Sequence, residues 1–239
     1  MAPDQDRPPN FIVQQSDYKV ELERICARLE GPVCQVGARA QTLDTKKLNW
    51  RQRFAGKGFI GADLEAGENV DAVFDVCDQL PVIQTALAPA LAGRQLGAIV
   101  CSHLMEHLRR PWVAAGNIES LLPPGGLAFI QVPWVQGFHA FPDDFWRMSL
   151  SGLLELFPGL ELVDAFYSGG SSDVAYRVWR DGIVDFSLQA RQIEAAAFQV
   201  LLSKEDNQRF LKSLPEQRAY LSRGYLPVIF VNYLGRKRG

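Results

Sequence analysis

The sequence has no long apolar run, no paired-cysteine motif and almost no imbalance of charge, and each shortage removes a class of protein. No stretch approaches the ~20 apolar residues that a membrane-spanning helix needs. The opening MAPDQDRPPN is polar and proline-rich, without the charged-then-apolar layout of a secretory leader. Four cysteines stand at 26, 34, 77 and 101. None is in a CxxC pair, and Cys34, Cys77 and Cys101 fall inside apolar runs. They read as small core residues in a reducing compartment rather than a disulfide framework. A soluble cytoplasmic protein is expected. Lys and Arg number 25 against 27 Asp and Glu, a formal net charge of −2. Phosphate backbones are bound by clustered cations, and the one basic run, Arg236-Lys237-Arg238, reads as a solvated tail. No nucleic acid and no membrane are expected as partners.

What is present is ordinary globular material. The chain has 239 residues, 47% apolar and 22% charged, enough for one generous domain or a domain with a sub-domain. No internal repeat is visible. A first helix is expected over about 16–30, capped by Ser16 or Asp17. Leu22, Ile25, Cys26 and Leu29 lie on one face at helical spacing, and Gly31-Pro32 stops it. Short apolar runs then alternate with helical stretches: 32–37, 58–63, 72–76, 97–101, and 127–132 after the turn Pro123-Pro124-Gly125-Gly126. Such runs indicate parallel strands covered on both faces. Further strands are expected at 160–163 and 227–233. Between them lies a flexible loop from Ser168 to Ser172, then helices near 184–203 and 205–222. This predicts an α/β fold, a doubly wound, mostly parallel seven-stranded sheet with helices on both faces and a helical insert before the last strand. The expected divisions are an N-terminal segment and helix (1–30), a core (31–167), an insert or lid (168–223), and the last strand with its tail (224–239).

In a doubly wound sheet the ligand sits beyond the carboxyl ends of the strands. There the sequence places Gly37, where backbone can approach a ligand closely. Asp63 follows at the next strand end, suited to two ribose hydroxyls, and Asp78 after the third, suited to an adenine amino group. The order glycine, acid, acid fits a nucleoside-containing cofactor.

The segments VCQVGAR (33–39), FIGADLEAG (59–67), VFDVCD (73–78), AIVCSHLMEHLRRP (98–111) and LLPPGGLAFIQVPW (121–134) together resemble the class I S-adenosylmethionine (SAM)-dependent methyltransferases. The resemblance spans roughly 30–165 and the final strand. It implies S-adenosyl-L-methionine as cofactor. Gln35, Gly37, Ala38 and Arg39 would line its methionine part. Asp63 and Leu64 would meet the ribose, Asp78 the adenine, and Cys101, Ser102 and His103 the pocket after the fourth strand. The chain departs from the family's acid-x-Gly-x-Gly-x-Gly pattern: Gln35 replaces the acid and one glycine remains. Arg39 either holds the cofactor carboxylate or points to solvent.

All three histidines, 103, 107 and 139, fall at the ligand edge of the sheet. His103 to His107 spells H-x-x-E-H, a zinc-protease signature, but behind a buried strand instead of within a long helix. Some magnesium-dependent O-methyltransferases carry E-x-x-E-H here, where the acids and histidine hold the metal; this chain has His103 in place of the first acid, keeps Glu106 and His107, and could complete a His₃Glu set with His139, which would favour a softer ion than magnesium. The plainer reading packs Glu106 and His107 beside the cofactor without metal, so a divalent metal is allowed but not expected. His139 is then the leading general base, or a loop histidine bonded to Asp143 or Asp144. The expected activity is methyl transfer to a small-molecule or sugar-type acceptor, most readily at oxygen, with His139, His107 and Glu106 as catalytic candidates. A homodimer is allowed. The alternative is a catalytically degenerate SAM- or nucleoside-binding module or partner subunit.

Overall fold

Asp17 starts the first helix: its carboxylate accepts from the Lys19 and Val20 amides at 2.8 and 3.2 Å, satisfying two of the free N–H groups of a helix end. Helix α1 (Tyr18–Arg28) follows a short strand, β1 (Gln14–Asp17). The computed structural model describes residues 14–39, 49–137, 139, 143–169, 174–178 and 228–239.

The expected apolar runs are strands β2 (Val33–Val36), β3 (Phe59–Asp63), β5 (Ala98–Ser102) and β6 (Leu127–Val135), with β4 (Ala72–Val73) shorter than its run. They pair in parallel in the order β4-β3-β2-β5-β6. The last strand, β9 (Ile229–Lys237), enters antiparallel between β6 and β7 (Leu160–Gly169). These seven strands are the expected sheet. Two more extend it: β8 (Val174–Val178) pairs antiparallel with β7, and β1 with β8.

Period-two alternation sends successive residues to opposite faces, and the chain fills both. Ala98 and Val100 of β5 and Leu127 and Phe129 of β6 pack under α1 and the short helix α2 (Trp50–Arg53). Ile99, Cys101, Ala128 and Ile130 pack on the other face. That face is covered by α3 (Leu80–Leu91), α4 (Pro111–Leu121) and α5 (Leu150–Leu156).

Three expectations need correction. Ser168 and Gly169 close β7 instead of opening a loop, and residues 174–178, given to the insert, form β8. β1 was not foreseen. The two helices expected after 184, and the N-terminal segment up to 13, lie outside the described residues. No helix among the described residues is long and apolar enough to cross a membrane.

Ser168 has a reason to be in the sheet. On the α1 face, Ser102 Oγ donates to Gln131 Oε1 at 2.7 Å, and Gln131 Nε2 donates to Asn232 Oδ1 at 2.6 Å. Asn232 Nδ2 donates to Ser168 Oγ at 2.9 Å. All four are buried. A linked network of this kind satisfies groups that would otherwise cost about 1–3 kcal/mol each, and it ties β5, β6, β9 and β7 together near the ligand edge.

Candidate active site

A cleft of about 570 Å³ opens at the carboxyl ends of the parallel strands. Its walls come from the end of β2 (Val36, Gly37, Arg39), the end of β3 (Asp63, Leu64, Glu65), the segment after β4 (Phe74 to Cys77) and the segment after β5 (Leu104, His107 to Arg110), with Asp143 across the mouth. Strand order reverses between β2 and β5. The cleft therefore spans the point where α/β sheets bind ligands.

Gly37 sits at φ +82°, in the left-handed region that favours glycine, and a Cβ there would stand 3.4 Å from Leu104. Its amide and that of Ala38 donate to Ala62 O at 2.9 and 3.0 Å, bending the chain across β3. Gln35 explains itself here. Buried below the cleft, its Nε2 donates to Gly37 O at 3.3 Å. A carboxylate could not make that bond, so the residue that departs from the family pattern braces the turn.

Asp63 Oδ2 accepts from the Arg39 amide at 2.9 Å and Oδ1 from the Glu65 amide at 3.3 Å. A carboxylate has about four acceptor positions, so two remain for a ligand in the cleft. The Arg39 guanidinium pairs with Glu65, which leaves the expected contact to a cofactor carboxylate without support.

Several expected site residues stand elsewhere. Asp78 is not a wall of the cleft: its Oδ2 accepts from the Asp75 amide at 3.3 Å. Asp75 lines the cleft in its place, with Cys77, whose amide it caps at 2.8 Å. Because β4 ends at Val73, the wall falls three residues earlier than the sequence suggested. Cys101 is core and Ser102 belongs to the buried network; Ala38 is buried, its carbonyl taken by Asn69. The wall after β5 is instead Leu104 and His107 to Arg110.

His103 has φ 54° and its ring meets Phe230 edge-on, centroids 4.4 Å apart. The following 3₁₀ turn, Met105–His107, carries Glu106 into the interior. Its side chain is 0% exposed. Three imidazole nitrogens surround Glu106 Oε1: His103 Nδ1 at 3.7 Å, His107 Nε2 at 3.8 Å and His139 Nε2 at 4.0 Å. These exceed hydrogen-bond length, and neither Glu106 oxygen has a hydrogen-bond partner among the described residues.

The segment after β6 is docked onto this turn. Phe145 and Trp146 amides donate to Glu106 O at 2.8 and 3.2 Å, and Trp146 Nε1 donates to Leu108 O at 2.7 Å. His107 Nδ1 lies 3.0 Å from Asp143 O. Asp144 is fixed by a fork from Arg147, at 2.6 and 2.7 Å, and by the His139 amide at 3.1 Å. Burial alone would raise the Asp144 carboxyl, but those donors hold it at about 2. His139 Nδ1 stands 3.1 Å from Asp144 Oδ2. Burial pushes the His139 imidazole below its usual value, against the pull of Asp144 and Glu106, so the ring is neutral near pH 7. Asp144 was foreseen as a possible partner of His139, but Arg147, which clamps it, was missed as part of the site; the only signal was the dense run Asp143-Asp144-Phe145-Trp146-Arg147. The sequence also sets Phe138 and Phe141 among the aromatics after the fifth strand, to wall a substrate pocket or to pack the loop; both lie outside the described residues.

The sheet order, the cleft at the reversal point and the glycine–acid pair at its base are now in place. The chain carries the doubly wound, Rossmann-like α/β fold that its resemblance to the class I SAM-dependent methyltransferases implied. No family model matches it, and no curated protein does. Solved structures do. A SAM-dependent methyltransferase from Archaeoglobus fulgidus is 14% identical, with 92% of each chain covered and a TM-score of 0.48. The MccD protein is 12% identical, covering 92% of this chain and 96% of the other, TM-score 0.49. Phosphoethanolamine N-methyltransferase 2 of Haemonchus contortus, solved with S-adenosyl-L-methionine, is 11% identical over 92% of this chain and 53% of that one, TM-score 0.44. At such identities the likeness concerns the fold alone. What the cleft does is decided by its own residues.

Proposed function

We propose that this chain binds S-adenosyl-L-methionine in the cleft and transfers its methyl group to a small-molecule or sugar-type acceptor, at oxygen. The observation that carries the reading is Asp63. It stands at the end of β3 beside the Gly37 turn, at the reversal point of the sheet, with acceptor positions left over after its two backbone bonds. The cleft volume lies within the range of small-ligand sites. The cofactor's sulfonium supplies an already activated methyl group.

The chain's own task is therefore to position the acceptor and exclude water. A hydroxyl acceptor also loses a proton as its oxygen forms the new bond to carbon. That proton falls to the cluster of Glu106, His107 and His139, of which His107 reaches the cleft wall. His139 sits behind His107, ring centroids 5.0 Å apart, so the general-base role passes from His139 to His107.

The test is calorimetric titration with SAM and S-adenosylhomocysteine, beside Asp63→Ala. Micromolar binding is expected for the wild type. Each charge-assisted hydrogen bond lost removes about 1.5–3 kcal/mol, so the variant should bind about 10- to 100-fold more weakly. Equal affinity in the variant overturns the assignment. Binding without methylation of any acceptor tried, with or without divalent ions, would favour a binding module instead of an enzyme.

A further inference from the structure

We propose that Glu106, His107 and His139 form a metal site in the cleft wall for a divalent transition ion of the zinc class. Only the ion's chemical use rests on the proposed methyl transfer; its binding does not.

The first observation is an uncompensated carboxylate. Glu106 is fully buried and neither oxygen is hydrogen-bonded among the described residues. Taking a carboxylate out of water costs several kcal/mol unless something of opposite charge meets it. Among the described residues no Lys or Arg lies within ion-pair distance of Glu106, Arg147 acting on it only from farther off; what faces it closely is imidazole nitrogen. One donor atom each from Glu106, His107 and His139 falls within a span of 4.8 Å. Ligands held about 2.0–2.1 Å from zinc at the tetrahedral angle stand about 3.3–3.4 Å apart. The carboxylate-to-nitrogen separations of 3.8 and 4.0 Å need to close only by about half an ångström, within reach of side-chain torsions. No hydrogen bond among the described residues holds the Glu106 carboxylate in its present orientation.

The second observation concerns the far nitrogens of the two rings. His107 Nδ1 is 3.0 Å from Asp143 O. His139 Nδ1 is 3.1 Å from a carboxylate oxygen of Asp144, itself clamped by Arg147. With its Nδ1 proton given to Asp143 O, His107 turns its Nε2 lone pair toward Glu106; the His139 Nδ1 lies close to Asp144 Oδ2 without hydrogen-bond alignment, and a small turn of the ring would align it while its Nε2 stays on the Glu106 side. A backbone carbonyl or carboxylate behind the ring is the arrangement that orients metal-bound histidines.

The donor set selects the ion. Two imidazoles and one carboxylate suit Zn²⁺, Fe²⁺ and their neighbours, whereas Mg²⁺ and Ca²⁺ prefer all-oxygen cages. His103 Nδ1, 3.7 Å from Glu106 Oε1, supplies a nearby further nitrogen. Three protein ligands leave a position open. His107 and Asp143 both line the cleft, so an acceptor hydroxyl could reach that position; with its Nε2 on the ion His107 would no longer serve as the base, and the cation would instead ease loss of the hydroxyl's proton to water.

The experiment uses the full chain, stripped with a chelator, desalted, and titrated calorimetrically with Zn²⁺ in the absence of SAM. One ion per chain is expected, undisturbed by excess Mg²⁺. His139→Ala and Glu106→Gln should each weaken binding by more than the about 10- to 100-fold that loss of an outer partner costs, and Asp144→Asn by about that amount. Co²⁺ loading should give the visible spectrum of a low-coordinate nitrogen–oxygen site. Less than one retained Zn²⁺ per wild-type chain, or equal affinity in Glu106→Gln, overturns the proposal. If the variants fail to fold, the wild-type Co²⁺ spectrum decides: that of the six-coordinate aqua ion overturns it. A chain that binds SAM but no zinc defeats this inference alone, and one that binds zinc but no SAM defeats only the proposed function.

Discussion

Replacing Arg147 with lysine keeps the charge and removes the fork. The guanidinium makes five hydrogen bonds: two to the Asp144 oxygens at 2.6 and 2.7 Å, and one each to Gln136 O, Gly137 O and Trp146 O at 2.8, 3.1 and 2.7 Å. A lysine ammonium has three donors on one atom and cannot span them, so at least two bonds are lost. Bonds to a charged group are worth about 1.5–3 kcal/mol each when well buried. The Arg147 side chain is 27% exposed, so the loss is discounted to about 2–3 kcal/mol in all. That energy holds residues 136–137 and 143–148 about the turn at Glu106; it is not spread over the fold. Local opening of the segment should become about 30- to 140-fold more frequent. The assay is hydrogen exchange at the Phe145, Trp146 and Met148 amides, which donate to Glu106 O, Glu106 O and Pro133 O. Exchange there should rise by that factor while the amides of α1 and β5 stay unchanged. A rise below about threefold, or an equal rise in β5, refutes the view that the fork docks this segment.

Thiol reactivity should single out Cys77. It lines the cleft and is only partly buried. Burial raises its thiol, but raises Cys26 to about 11 and Cys34 to about 12, and Cys101 higher still. Iodoacetamide at pH 8 should give one adduct by mass spectrometry, at Cys77, slowed by S-adenosylhomocysteine; comparable labelling of Cys34 or Cys101 in the native chain would contradict this. Asp164 offers a pH test. Burial raises its carboxyl despite Arg28 at 3.6 Å. The folded state thus holds more protons than the unfolded one above the ordinary carboxyl value, and stability falls as pH rises through that window. Asp164→Asn removes this slope, so its urea midpoint should gain on the wild type between pH 4 and 7; a narrowing gap would show that the Arg28 pair outweighs burial.

The strands that carry the cleft were legible because each is a short, mainly apolar run buried on both faces. Val33–Val36 and Ala98–Ser102 are examples. The edge beyond β9 was not. Ser168 and Gly169 look like loop residues, and it is the distant Asn232 that gives the Ser168 hydroxyl a buried partner. At the cleft, register was the obstacle. A strand that ends at Val73 instead of 76 exchanges Asp75 for Asp78. One that runs on to Ser102 moves the next wall to Leu104 and His107. Composition marks that an acid lies near a strand end, but the wall it joins depends on where pairing stops. The histidines were visible as a set; that Glu106 would be the buried centre was not, since glutamate is among the residues least often buried.

Glu106 joins the fold to the chemistry through its two ends. Its carbonyl receives Phe145 and Trp146, and its side chain faces the imidazoles. The docking of segment 143–148 and the assembly of the cluster are therefore one event: the segment brings Asp143 behind His107 and Asp144 behind His139. If the segment lifts, His107 loses the carbonyl that aims it and His139 loses its neighbouring carboxylate, and Glu106 gains water in the same motion. A divalent ion that binds only the assembled cluster must then favour the docked segment by mass action. The Arg147 fork and an ion at Glu106 stabilise the same state from opposite sides.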